Sequence, residues 1–187
     1  MEALGKLLER NPIIAALRGT EDLPAALESG CEVLFLLSTG ILEIGSLVEQ
    51  IHGSGKAVYV HMDLMEGLGR DRAALGFLRS VAKVDGIITT HSSIVRMARE
   101  EGLPCIQRLF LIDNLSVRTG VQSVSQTKPG AVEVMPGIVP AVTKQLCDKL
   151  SLPVITGGLV NTKEDVIASL AAGAVGVSTS NTGLWNI

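Results

Sequence analysis

Aromatic residues make up only 3% of this chain, with one Trp, one Tyr and three Phe. Base-stacking platforms of the kind used by common single-strand modules therefore have few candidates. Cysteine is scarce as well. Cys31, Cys105 and Cys147 are odd in number and far apart, with no Cys-x-x-Cys pair, which argues against a disulfide framework or a thiolate metal site and for buried, inert thiols. Positive charge is not in excess: at a net charge of −3 there is no whole-surface footprint for nucleic acid, and such binding needs a local patch or an assembled oligomer. Long hydrophobic runs are missing, since none approaches the ~20 apolar residues that span a bilayer. The stretch from Met1 to Lys6 holds an acidic residue and no apolar run after a basic start, so it does not read as a secretory signal, and a cytoplasmic protein is expected.

What the chain does have is apolarity in short pieces. Hydrophobic residues reach 47% and the mean hydropathy is +0.39, the composition of strands buried on both faces. Its 187 residues fit one domain, 1–187, with one sizeable core. Short β-branched runs alternate with amphipathic stretches. The strands are expected at Ile13–Leu17, Val33–Leu37, Ala57–Met62, Gly86–Thr89, Pro104–Leu109, Ala131–Met135, Pro153–Thr156 and Ala174–Ser178. The helical period recurs over Ile41–Gln50, Arg72–Val81, Ser93–Glu101, Leu115–Val124, Val139–Leu150 and Lys163–Ala172, the last opened by a capping box from Thr162. This rhythm implies an α/β fold, a single compact (β/α)₈ TIM barrel with short or partly missing helices. An open doubly wound sheet shares the alternation but wants a Gly-rich turn after its first strand, where this chain has Arg18-Gly19-Thr20-Glu21.

Barrel sites assemble where strands end at their C-terminal side, and here apolar strands have polar exits. The strongest local signal is Thr156-Gly157-Gly158 followed by Ser178-Thr179-Ser180. Paired glycines let backbone N–H groups approach an anion, and a short helical turn after Ser180 would aim more of them at the same point. A phosphate is therefore expected on Gly157, Gly158, Ser178, Thr179 and Ser180, with the hydroxyls of Ser178 and Thr179 assisting. Period-two alternation puts His61 and Asp63 on one face of the third strand, and Glu133 and Arg18 on corresponding faces. If those faces point inward, the four meet near the mouth. The two carboxylates could hold hydroxyls, bind Mg²⁺, or act as acid and base, or Glu133 could sit in a satisfied network with Arg18 or Arg108. No lysine ends a strand, which disfavours a Schiff-base aldolase.

Several phrases, taken in order, carry a resemblance that covers nearly the whole chain: Pro12–Arg18, His61–Gly67, Asp85–Thr90, Ile106–Asp113, Val132–Gly137, Thr156–Leu159 and Thr179–Trp185. Together they resemble the glycerol uptake operon antiterminator regulators. That resemblance implies a regulator without a cofactor, which binds glycerol 3-phosphate, acts on leader mRNA and controls glycerol utilisation genes by transcription antitermination. For such a ligand, Asp63 and Glu133 are expected to recognise the glycerol hydroxyls, with Arg18, His61 and Arg108 orienting those two carboxylates. For RNA, the best concentration of positive charge is Arg70, Arg72, Arg79, Lys83, Arg96 and Arg99 on the expected third and fourth helices. A solvated face paired with Asp71, Glu100 and Glu101 is the competing reading of that patch. A homo-oligomer would juxtapose such patches. Two alternatives stay open: a barrel lyase, isomerase or hydrolase acting on a small sugar or triose phosphate, with Asp63, Glu133 and His61 as acid/base groups or metal ligands, and a metabolite-binding protein that touches no RNA.

Overall fold

A computed structural model describes residues 4–187. Eight parallel strands, β1 (Ile13–Leu17), β2 (Val33–Leu36), β3 (Ala57–His61), β4 (Gly86–Thr89), β5 (Cys105–Phe110), β6 (Ala131–Met135), β7 (Val154–Gly157) and β8 (Gly176–Thr179), pair in chain order, and β8 closes back on β1. The expected barrel is therefore the observed one. Around it run α1 (Leu4–Arg10), α2 (Leu23–Glu28), α3 (Ile44–Gly53), α4 (Arg72–Ser80), α5 (Ser92–Glu100), α6 (Asn114–Thr127), α7 (Pro140–Cys147) and α8 (Lys163–Ala171). Strand bounds differ from the expected ones by a residue or two. The helix expected at Ile41–Gln50 starts later because Gly40 pairs with Glu66 and Ile41 donates to the Glu66 carbonyl before the helix begins. Proline at the start of α7 marks its first turn, since its missing N–H is no loss there.

Alternation along each strand sorts the apolar residues into two layers. Inward go Ile14, Ala16, Val33, Phe35, Tyr59, Ile88, Ile106, Ala131 and Ile155, which pack as one interior cluster. Outward-facing partners such as Ala15, Leu34, Val58, Val60, Ile87 and Val177 pack beneath the helices. The N-terminal end of the barrel is plugged by α1, whose Leu7 and Leu8 join the interior cluster. Among the described residues, no helix plugs the opposite end in this way. After β8 the chain makes only a 3₁₀ turn, Thr182–Leu184, and the fully buried Trp185 anchors it by donating from Nε1 to the Thr179 carbonyl at 2.9 Å. A barrel closed at one end and open at the other leaves its strand C-termini as the accessible mouth.

Candidate functional site

Charged side chains gather at that mouth. Arg108 and Glu133 are register partners on β5 and β6, both pointing inward, and adjacent parallel strands bring such partners within reach of each other. Arg108 Nε donates to Glu133 Oε2 at 2.7 Å, with the arginine 6% exposed and the glutamate 0%. The second carboxylate oxygen takes the Ser178 hydroxyl at 2.6 Å. That bond crosses the intervening strand β7 at Gly157, where a Cβ would collide with Ser178 Oγ and stand 2.7 Å from Glu133 Oε1. Gly157 is thus bare because a buried hydrogen bond passes over it. Both carboxylate oxygens of Glu133 are thus bonded within the protein, one of them to Arg108, as one of the readings left open above expects.

Asp63 follows β3 in a 3₁₀ turn and is only half-buried. Its oxygens accept from the Thr89 hydroxyl at 2.5 Å and from the Thr90 N–H and hydroxyl, each at 2.7 Å. Burial pushes its carboxyl up, but these three hydrogen bonds and the nearby His61 together hold it below the usual carboxylate range. The carboxylate therefore ties the β3 exit to the β4 exit. His61 itself is 4% exposed. Burial first, then the Arg108 charge, lowers its imidazole, against smaller opposing pulls from Asp63 and Glu133. Two buried polar atoms here lack any protein partner: His61 Nδ1 and Arg108 Nη2. Because buried polar groups are nearly always paired, unpaired polar atoms at a mouth point to a ligand.

Beside them lies a hollow of about 150 Å³ lined by Arg18, Leu37, Arg108, Met135, Gly158 and Ser180 among others. Gly158 has φ +77° and Leu159 +62°, so two successive left-handed residues bend the β7 exit over the mouth. Among the described residues, no protein acceptor takes the N–H of Gly158 or Ser180. The two hydroxyls expected to assist both line this hollow and both have acceptors within the protein. Ser178 spends its proton on Glu133, and Thr179, which faces outward, donates to the Val160 carbonyl at 2.9 Å while accepting from the Asn181 N–H. Asn181 in turn bonds the Asn161 carbonyl at 2.9 Å, stitching the β7 and β8 exits together. Exposed Arg18 has no ion-pair partner among the described residues and faces the hollow. A larger hollow of about 430 Å³ at the N-terminal end is mainly apolar in its lining and gathers no comparable set of donors.

A model of the family described as "Glycerol-3-phosphate responsive antiterminator" matches residues 13–185. The chain is 38% identical over 181 residues to the uncharacterized protein YgcP of Escherichia coli K12, covering 97% of this chain and 95% of that one. A solved glycerol uptake operon antiterminator regulatory protein from Listeria monocytogenes superposes with a TM-score of 0.89 at 36% identity, over 94% of this chain and 95% of its own. A related protein from Thermotoga maritima gives 0.83 at 33%, over 92% and 96%. The chain belongs to the glycerol-3-phosphate responsive antiterminator family.

In this antiterminator-family chain the basic residues expected to meet RNA do not form one uniform patch. Arg72 pairs with both Glu100 and Glu101, the latter at 2.8 Å, and Asp71 caps α4 by accepting from Ala74 N–H. That half matches the solvated, paired face. Arg70 Nη2 donates to the Asp63 carbonyl at 3.2 Å, on the side of the mouth. Arg96 is exposed on α5. Arg79 and Arg99 lie in the last turns of α4 and α5, and Lys83 follows α4, toward the N-terminal face. Spacing within each helix was legible, but which ends face each other required the packing of α4 on α5.

Proposed function

We propose that this chain is a regulator that binds glycerol 3-phosphate, without a cofactor, in the hollow at the C-terminal mouth and couples that binding to its action on leader mRNA in the cytoplasm. The observation that carries the reading is the pairing of two arginines and two unspent backbone N–H groups around a hollow of about 150 Å³, a donor set suited to an anion. In this reading the phosphate lies against Gly158 and Ser180 with Arg18 supplying charge. Arg108 Nη2 and His61 Nδ1 meet the glycerol hydroxyls. A lowered His61 stays neutral near pH 7, so its ring offers one acceptor and one donor. Asp63 and Glu133 act indirectly, by fixing the loop exits and Arg108. A barrel enzyme would need those carboxylates for proton transfer or metal, and both are engaged within the protein, which favours binding over turnover.

Titration calorimetry with glycerol 3-phosphate, ethyl phosphate, inorganic phosphate and glycerol tests the reading. Glycerol 3-phosphate should bind one to one, and ethyl phosphate at least about tenfold more weakly, because each buried group left unpaired costs ~1–3 kcal/mol. Equal affinities would remove the hydroxyl assignment. No binding of glycerol 3-phosphate, or its conversion to a product, would overturn the proposal.

A further inference from the structure

The turns that lead from helix to strand at the N-terminal face contain residues in the left-handed region. Three are glycines, Gly55 at φ +79°, Gly102 at +68° and Gly173 at +103°, and two are lysines, Lys83 at +59° and Lys128 at +52°. A Cβ is disfavoured there, so glycine is the residue such turns ordinarily select. Lysine at both remaining positions runs against local backbone energetics, and a strained residue kept on a surface is a pointer to use. The helix dipole does favour a cation at a helix C-terminus. That benefit is already available in relaxed backbone, as Arg79 and Arg99 in the last turns of α4 and α5 show. The dipole alone does not ask for lysine at the strained position.

We propose that this face, through Lys83, Arg79, Arg99 and Lys128, is the surface that grips the phosphate backbone of RNA. The proposal rests on the antiterminator reading and adds where the RNA lies. These four cations lie in the last turns of, or just after, the neighbouring helices α4, α5 and α6. Arg79 Nη1 lies 3.9 Å from where a Cβ of Gly102 would be. Arg99 Nη1 reaches across to the Thr127 carbonyl at 3.3 Å, next to Lys128. Arg79 and Arg99 are held by carbonyls, Glu101 and Thr127, and so keep their charge uncompensated. Both lysines are exposed, and neither has an ion-pair partner among the described residues. Glu100 and Glu101, the nearest acids on α5 and its turn, are already paired with Arg72. A row of separate, uncompensated cations suits a polyanion with repeating phosphates. The surface is at the opposite end of the barrel from the mouth, so one molecule can hold its small phosphate and RNA together.

A K83G/K128G variant tests this, because glycine relieves both turns while removing both charges. Its thermal midpoint should equal or exceed that of the native chain, and its glycerol 3-phosphate affinity should stay within about twofold. Fluorescently labelled leader transcript of a glycerol-uptake gene is titrated onto both proteins at several salt concentrations, with saturating glycerol 3-phosphate. The slope of log affinity against log salt should become shallower by about 1 for each lysine removed. An unchanged slope in a folded variant would overturn this surface and leave the antiterminator reading intact. Failure of the native chain to bind the transcript with or without glycerol 3-phosphate would overturn that reading as well. Binding to phosphatidylserine vesicles in place of RNA would assign the face to a membrane and overturn the proposal.

Discussion

Replacing Glu133 by Gln isolates the charge of the buried pair. The amide keeps the shape and can still accept from Arg108 Nε through its oxygen and donate to Ser178 Oγ through its nitrogen. What disappears is the countercharge of a guanidinium that is 6% exposed, from a position that is 0% exposed. Breaking such a pair from one side leaves an uncompensated buried charge and costs about 3–5 kcal/mol. For a chain of this size that corresponds to a fall in Tm of roughly 10 °C. The same reasoning gives a second, more discriminating outcome. A phosphate ester brings about two negative charges at neutral pH, and if Arg108 faces the ligand that charge replaces the one removed. Saturating glycerol 3-phosphate should therefore raise the Tm of E133Q by more than it raises that of the native chain. Circular-dichroism melts with and without ligand at constant pH read both quantities. A native-like Tm in E133Q would mean that the pair is not buried as described, and equal ligand shifts would mean that Arg108 does not reach the ligand.

Three further outcomes follow from neighbouring residues. Gly158→Ala places a Cβ at φ +77° and 3.0 Å from Met135 Cε. It should cost about 1–2 kcal/mol in stability and weaken glycerol 3-phosphate binding about tenfold or more by crowding the phosphate, to be measured by melts and calorimetry on the same sample. His61 is held below its ordinary 6.5 in the folded state, so on acidification the unfolded chain takes up its proton first. The stability tied to neutral His61 is complete above about pH 6.5 and is lost as pH falls through the folded value, with a slope of at most about 1.4 kcal/mol per pH unit. Denaturant melts of H61N should show that slope flattened in the unit below pH 6.5, and an unaltered slope would contradict the burial argument. Thr162→Ala removes the hydroxyl that accepts from Asp165 N–H at 3.1 Å and should cost about 1 kcal/mol by urea denaturation, with ligand affinity unchanged.

The barrel was legible because its signals are local. Each strand is a short β-branched run, most of them entered through Gly or Pro, and the Thr162 box announces α8 on its own. Two helices escaped. The helix α2 is six residues long, too short to display a period. The other, α1, carries Leu4, Leu7 and Leu8 at helical spacing, a signal that was present but brief. At the mouth, alternation put Arg18, His61, Asp63 and Glu133 on faces that could point inward, but Asp63 falls in the turn after β3, and alternation does not fix the register between strands. Only the register sets Arg108 opposite Glu133 and Ser178 across Gly157, and so brings both onto the Glu133 carboxylate. The Gly157-Gly158 pair looked like one device and is two: the first clears a path for a buried bond, the second turns the chain. Left-handed lysines leave no local mark, since lysine after a helix is ordinary until its φ is known.

The most direct test of the central claim is a crystal structure of the chain with glycerol 3-phosphate bound. The account predicts the phosphate at the C-terminal mouth within hydrogen-bond distance of the Gly158 and Ser180 N–H groups, with Arg18 alongside and Arg108 Nη2 and His61 Nδ1 on the glycerol hydroxyls. A phosphate seated elsewhere, or hydroxyls bound by Asp63 and Glu133 with the Arg108 pair broken, would contradict it.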